Sequence, residues 1–557
     1  MSREEQKIDV LILGAGINGA GLFRDLCEQG LNVVIVDKGD FGSGTSAAPS
    51  RLIHGGIKYL ETGEFSLVAQ STLERNLLLK NAPHSVYPLP TVIPIFSWLK
   101  GIPAALRTLL GSKTAPRSRG AVLIKIGLAL YDLYGARHRV MPRHALWSKR
   151  RVLRELPPLT PTVVAAGLYY DATVRMPERL VLELLQDGIR ANPESQAFNH
   201  TKLLGTDGTV VRVRDPRGRE HAFQPDVVVN AAGPWIDRVN EMLGMETHLI
   251  GGTKGSHILL DHPQLIRALG GRMIYFEADD GRICLVFDYL GRALVGSTDI
   301  RAFDPDLVRC EDDEIEYFLK SLRGLLPGLS FGRDQIVYAY SGIRPLPASD
   351  GTAPGLISRD HSASILEADS VRMWPVISLV GGKWTTFRGF AEEVCDSVLK
   401  RVGRERRVST QELPIGGGRD CPSDEAARAR WIGEVVDETG LPPARVRELL
   451  DRYGTTARAI LAHEAAQTAE TLSDAPDFTR SEIDWIVRNE RVVHLEDVVM
   501  RRTALAVTGR LSRRDLEAIA DIAAHALGWD AQRKNAELAA AHATLTERHR
   551  LRPPAGA

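Results

Sequence analysis

A short apolar run, Ile8–Leu13, leads into Gly14-Ala-Gly-Ile-Asn-Gly19, and a helical pattern follows from about Ile17 to Gln29 with Leu22, Phe23 and Leu26 on one side. Gly30 ends that helix, and a second apolar run, Asn32–Val36, stops at Asp37. The pattern predicts two buried parallel strands joined by a helix, which commits the N-terminal region to an open α/β sheet. In Gly14-x-Gly16-x-x-Gly19 the first glycine permits a tight turn, the second lets a pyrophosphate approach the backbone, and the third lets helix pack on strand. The helix N-terminus, with Asn18 in its first turn, then faces the phosphates with its positive end. Asp37 stands 23 residues after Gly14, where an acid accepts a ribose hydroxyl hydrogen bond, and Lys38 beside it joins the expected set. A lone glycine fingerprint is a weak signal. Between two strands, with an acid closing the second, it points to a dinucleotide.

The next stretch narrows which dinucleotide. Phe41–Leu60 is dense in Gly, Ser and Thr, including Thr45, Ser46, Ser50, Gly55 and Gly56. Such a segment can pass beneath a flavin and offer N–H and hydroxyl donors, which a simple nicotinamide domain does not need at this point. His54 reads as a cofactor-contact or packing residue. Further strand-like pieces lie at Gln224–Asn230, Ser256–Leu260, Arg282–Phe287, Arg292–Val295 and Ser378–Val380. From Asp424 the pattern is helical, with Thr479 and Glu482 spaced as a capping box and Ser512 placed as an N-cap.

Composition excludes several classes. The 557 residues are 44% hydrophobic and 25% charged, an ordinary globular balance. The five cysteines have no metal-ligand spacing, so no metal site and no disulfide framework is expected. The charged N-terminus lacks an apolar signal core, and no apolar run is long enough to span a bilayer. Lys+Arg and Asp+Glu both number 70, which argues against a uniformly basic nucleic-acid binder.

At this point the motifs form a recognisable series. The fingerprint, Gly44-Thr-Ser46, Ser50-Arg-Leu-Ile-His-Gly-Gly-Ile-Lys-Tyr-Leu-Glu61, Asn230-Ala-Ala-Gly-Pro-Trp235, Lys254-Gly-Ser-His257, Gly296-Ser-Thr-Asp299, Tyr340-Ser-Gly-Ile-Arg-Pro-Leu346 and Gly381-Gly-Lys-Trp-Thr-Thr386 occur in order. Together they resemble the FAD-dependent glycerol-3-phosphate dehydrogenases of the D-amino-acid-oxidase-like flavoprotein superfamily. The resemblance implies a Rossmann-like FAD-binding domain interleaved with a mixed-sheet substrate domain, plus a C-terminal helical domain. The expected division is 1–90 as the first part of the FAD domain, 91–151 as a basic segment and 152–400 as the interleaved remainder. A linker at 401–423, helices at 424–550 and a tail at 551–557 complete it.

The resemblance also implies a reaction: oxidation of sn-glycerol 3-phosphate to dihydroxyacetone phosphate, with hydride passing to flavin N5 and electrons going on to a membrane quinone. Three departures stand out: Lys58 where the family usually has Arg, Ala47-Ala-Pro49 in a tract usually richer in Ser, and Met176-Pro177 in place of a commonly acidic pair. A Lys cannot make the bidentate fork of an Arg, so another polyol phosphate is one alternative, and an oxidase passing electrons to oxygen is a separate one. A flavin-binding protein without turnover is the reading from a different class.

Alcohol oxidation needs a group that takes the hydroxyl proton as hydride leaves, and His257 is the candidate that the motif supplies. Arg344, in a Gly/Pro-constrained turn, is the candidate phosphate clamp, and Lys383, after Gly381-Gly382, is the second cation of the site. Lys58 and Tyr59 complete the substrate set, while Gly233, Gly382 and Thr385 join the cofactor set. Residues 91–151 carry twelve Lys and Arg against one acid, Asp132, and Trp98–Leu110 has the spacing of a basic amphipathic helix. That segment predicts peripheral attachment to the cytoplasmic face of the inner membrane. A homodimer stays open as an assembly.

Overall fold

The computed structural model describes residues 5–60, 63–98, 120–136, 139–348, 360–467 and 470–552. Its first sheet follows the order β17 (His361–Leu366), β18 (Val376–Gly381), β10 (Glu220–Asn230), β1 (Glu5–Leu13), β2 (Val33–Val36), β7 (Gln196–Phe198). The hairpin of β8 (Lys202–Thr206) and β9 (Val211–Arg214) joins through β10. β1 is parallel to both its neighbours, with Leu13 opposite Asn230 on one side and Val36 on the other. Its side chains alternate. Val10 and Ile12 pack with α1 (Ile17–Glu28), α5 (Pro177–Ala191) and α9 (Phe387–Arg401), and Leu11 and Leu13 pack on the opposite face with Val228, Trp374 and Val376. A short helix, α6 (Ile236–Met242), lies against this second face through Val239.

The second sheet follows β15 (Ile300–Arg301), β11 (Thr253–Leu260), β14 (Arg292–Gly296), β13 (Ile283–Tyr289), β12 (Met273–Glu277), β4 (Val86–Ile95), β6 (Ala165–Val174), β3 (Leu52–Ile53). β16 (Ile336–Arg344) pairs with β11, and β5 (Ala145–Ser148) with β6. One face packs on α4 (Lys149–Glu155), α7 (Pro263–Leu269) and α8 (Asp312–Leu325). Along the chain the two sheets alternate, so the domains are interleaved as expected. α2 (Phe65–Asn81) and α3 (Ala121–Tyr134) form a smaller core over Ile95 and Tyr169.

The C-terminal region comprises α10 (Glu425–Thr439), α11 (Pro443–Tyr453), α12 (Ala457–Ala465), α13 (Arg480–Asn489), α14 (Arg513–Leu527) and α15 (Ala531–Ala543). Ile483, Ile486 and Ile519 of this group pack against Leu259, Phe287 and Tyr340, closing the other face of the second sheet. Ser512 caps α14 by accepting from Asp515 N. Thr479 caps α13 through Glu482 N, but the capping box is half made: the Glu482 carboxylate takes Arg445, Arg452 and the Tyr453 hydroxyl instead.

The five later strands lie where their apolar runs put them, extended by a few residues. The segment read as a basic unit from residue 91 differs. Residues 91–95 finish β4, which pairs along its length with β6 although it holds Pro88, Pro90 and Pro94. Leu99–Leu110, the core of the amphipathic reading, lies outside the described residues.

A buried ion network ties the helical region to the first sheet. Asp40, just after β2, accepts from Arg501 Nε at 2.6 Å and from Arg502 Nη1 at 2.7 Å and Nη2 at 2.9 Å. Asp497 accepts from Arg501 at 2.6 Å and lies 3.1 Å from His200 Nε2, while Glu490 holds Arg179 of α5 by two bonds of 2.8 and 2.9 Å. Asp40, His200 and Asp497 are grouped closely enough to hold a metal ion, but guanidinium groups already take both carboxylates. Removing one partner leaves buried cations underpaired, so Asp40→Asn is expected to lower unfolding free energy by about 3–5 kcal/mol. The urea midpoint of the purified variant measures it.

Candidate active site

The glycine turn is built by its neighbours. Gly14 has φ +108°, and a Cβ there would lie 2.6 Å from the Ala231 carbonyl oxygen, so a side chain is excluded by both conformation and space. Gly16 is the N-cap of α1, with no side-chain cap and no acidic residue in the first turn, which leaves the positive end of the helix uncompensated. Ile17 N donates to Ser46 Oγ at 2.9 Å. Asp37 braces the turn, accepting from Ala15 N at 2.7 Å and Gly39 N at 2.9 Å, and loss of water around it pushes its pKa up to about 6. Asn18 Oδ1 is buried beside Gly382 with no partner among the described residues. A glycine cradle, an open helix N-terminus and an orphaned acceptor fit the pyrophosphate and ribose of a bound dinucleotide.

Two groups of side chains follow. In the first, His257 of β11 lies opposite Gly296 and Tyr340, stacks on the Tyr340 ring at 4.9 Å between centroids, and shares a 2.8 Å hydrogen bond between Nε2 and Ser50 Oγ. His257 Nδ1 is buried without a partner among the described residues. Burial first, then the nearby Arg344 and Arg51 cations, hold its pKa well below the usual imidazole value, so it is neutral at physiological pH. Arg344 ends β16, where Nη1 reaches Asp299 Oδ1 at 3.1 Å and Nη2 reaches Ser297 Oγ at 3.1 Å and the Thr298 carbonyl at 3.2 Å. Those bonds fix the plane of the guanidinium. Thr45 Oγ1 donates to the Ile343 carbonyl at 2.6 Å, joining the flavin-side loop to the same strand.

The second group lies on the loop after β18. Gly381 N donates to the Pro345 carbonyl at 3.0 Å, so this loop is anchored one residue beyond Arg344. Lys383 is buried, with Nζ 3.7 Å above the Tyr59 ring and 3.1 Å from Ser71 Oγ. His54 N donates to Thr385 Oγ1 at 3.1 Å, and Trp384 Nε1 donates to the Ser46 carbonyl at 3.2 Å. Lys58 is half-buried in the 3₁₀ turn Ile57–Leu60. Gly55 and Gly56 lie on the loop between β3 and that turn, and Gly233 opens the turn Gly233–Trp235 with φ +57°.

One expected cofactor residue points elsewhere. Lys38 is exposed and pairs with Asp306 at 3.0 Å over the Trp235 ring at 4.2 Å. Several functional neighbours carry no local signal. Arg51 has φ +59° and is held by Glu178 at 3.0 Å, which fixes the strained residue next to Ser50. Beneath Gly55, whose N–H reaches Tyr131 Oη at 2.8 Å and Asp171 Oδ1 at 3.1 Å, Arg75 Nη1 donates to the same two oxygens at 2.9 and 3.1 Å. Tyr131 also donates to Asp171. Asp299 lies inside a motif that the sequence singles out, so only its role was hidden. Gly14→Ala is expected to cut FAD content of the purified protein to below about a tenth of wild type, as read from flavin absorbance per polypeptide.

Comparison with known proteins agrees with this geometry. A family model described as FAD dependent oxidoreductase matches residues 9–396, and one described as the C-terminal domain of alpha-glycerophosphate oxidase matches residues 408–534. A glycerol-3-phosphate dehydrogenase of Synechocystis sp. is 31% identical, covering 94% of this chain and 93% of its own. A D-erythritol 1-phosphate dehydrogenase of Brucella abortus is 28% identical, covering 90% of this chain and 95% of its own. Among solved structures, the Bacillus halodurans glycerol-3-phosphate dehydrogenase complexed with FAD shares the fold, with a TM-score of 0.75 at 22% identity over 98% of this chain and 95% of that one. With a family model spanning both interleaved sheets and a glycine cradle shaped for the cofactor, the chain belongs to the FAD-dependent oxidoreductases and uses FAD.

Proposed function

We propose that this enzyme oxidises sn-glycerol 3-phosphate to dihydroxyacetone phosphate and passes the electrons to a membrane quinone. The observation that carries the reading is the pairing of a neutral, buried imidazole, His257, with a fixed guanidinium, Arg344, on adjacent strands. Bound FAD supplies the hydride acceptor, N5 of the isoalloxazine. Its holders are the glycine turn, Asn18, Asp37, Thr45, Ser46, the 54–56 loop, Gly233, Gly382 and Thr385.

The chain's own residues divide the remaining work. His257 takes the proton of the secondary hydroxyl, and Ser50 fixes the ring through Nε2. Arg344 and Lys383 hold the phosphate dianion, with Lys58 and Tyr59 beside them. Lys383 lies in a low-dielectric setting over Tyr59, where its charge acts more strongly than at a surface. The Brucella relative's name supports a longer polyol phosphate as the second reading, and the Lys58 departure is the feature of this chain that favours it.

The exposed face of α3 supports a membrane location. Ile124, Leu128 and Tyr131 are buried on one side, while Val122, Ile126, Leu130 and Leu133 form a stripe on the other at 42%, 54%, 36% and 67% exposure. Among the described residues no helix is long and apolar enough to cross a membrane. An apolar stripe beside a strongly basic segment suits the surface of an anionic bilayer, and we read it as resting on the cytoplasmic face of the inner membrane.

Anaerobic addition of sn-glycerol 3-phosphate is expected to bleach the flavin band at lower concentration than four-carbon or longer polyol phosphates. Equal or better bleaching by a longer compound overturns the substrate assignment. Arg344→Ala is expected to raise the concentration for half-reduction by about 10²-fold or more, matching the loss of a charged, bidentate contact. Ile126→Glu with Leu133→Glu is expected to lower binding to phosphatidylglycerol vesicles at least about tenfold while leaving anaerobic flavin reduction unchanged.

A further inference from the structure

A second cavity lies away from the site just described. It has a volume of about 510 Å³ and opens where α5, the turn between β13 and β14, α11 and the 502–510 segment converge. None of the proposed catalytic, substrate or cofactor residues lines it. Six arginines do, against three carboxylates, Glu448, Asp451 and Asp477.

The arginines are not equivalent. Arg179 is forked onto Glu490, Arg502 is held by Asp40, Arg452 by Glu482 and Glu448, and Arg510 by Asp477. These four form a braced frame. The other two are not committed to a buried acid. Arg175 makes no ion pair among the described residues, and its guanidinium lies 4.1 Å over the Tyr87 ring. Arg447 reaches Glu425 at 3.1 Å, an acid whose side chain is 73% exposed. Arg175 on the FAD side and Arg447 on the helical side therefore line one opening with fork donors that water and an exposed surface pair only weakly occupy. Met176, Leu290 and Phe478 supply apolar wall between them.

We propose that this cavity is a binding site for a small organic anion bearing a phosphate or clustered carboxylates, clasped between Arg175 and Arg447. Both groups present paired oxygens that match guanidinium forks, and a short carbon body meets the apolar wall. The ligand bridges the FAD side and the C-terminal helices. The inference does not rest on the reaction proposed above.

The test is calorimetric titration of the FAD-loaded full-length protein at constant ionic strength with pyrophosphate and, separately, citrate. It is repeated for Arg175→Gln/Arg447→Gln and for Arg344→Ala. At least one probe is expected to bind wild type and Arg344→Ala alike, and to bind the double variant at least about tenfold more weakly. Pyrophosphate alone binding identifies a phosphate site, and citrate alone a carboxylate site. Binding that survives in the double variant or disappears in Arg344→Ala overturns the assignment, as does binding of neither probe to wild type. Unchanged flavin content and melting temperature in the double variant show that it is folded, since both side chains are exposed.

Discussion

The structure depends on how closely two backbones meet at Gly14. β1 and β10 run parallel in register from the N-terminal strand to Asn230, and where they end the turn at Gly14 presses onto Ala231 and Ala232 with no room for a side chain. That contact brings the first motif of the chain against one more than two hundred residues later. It also sets the start of α1, with its uncompensated positive end, directly beyond the sheet edge. The cofactor cradle is therefore a product of sheet order, not of the glycine motif alone.

The interleaving of the chain then explains why the proposed catalytic groups are so scattered in sequence. Ser50 leaves the FAD side between β2 and β3, while His257 and Arg344 stand on paired strands of the second sheet. Lys383 follows β18 of the first sheet, and the Gly381–Pro345 hydrogen bond ties its loop to the strand bearing Arg344. The buried Asp40, Arg501 and Arg502 network adds a third tether, from the C-terminal helices to the end of β2. Its energetic logic is asymmetric. A buried pair adds little over a well-packed apolar contact, but losing one partner strands the other, so the network specifies how the domains dock.

Much of this was legible in the sequence where the signal was local. The β1–α1–β2 unit follows from hydrophobic run length and glycine spacing, and the Ser512 cap from one side chain meeting a backbone N–H three residues on. The ordered motifs carry the fold and the cofactor. What stays hidden shares one physical cause, that a side chain's partner is set by tertiary packing. Ser50 bonds His257, 207 residues away, and Lys38 turns to Asp306, 268 residues away. Glu482 has capping-box spacing yet spends its carboxylate on two arginines and a tyrosine. β4 holds three prolines, yet it pairs with β6 throughout.

The central claim is that His257 acts as a base kept neutral by burial and by two neighbouring cations. The most direct test is stopped-flow flavin reduction by saturating sn-glycerol 3-phosphate between pH 5 and 8, in wild type and His257→Ala. A group whose pKa lies well below 6.5 stays deprotonated over most of this range, so the wild-type rate should hold nearly level down through about pH 6. The His257→Ala rate should be lower by about 10²- to 10⁴-fold at equal flavin content. A wild-type rate already halved at pH 6.5, or an alanine variant reduced as fast as wild type, would contradict the account.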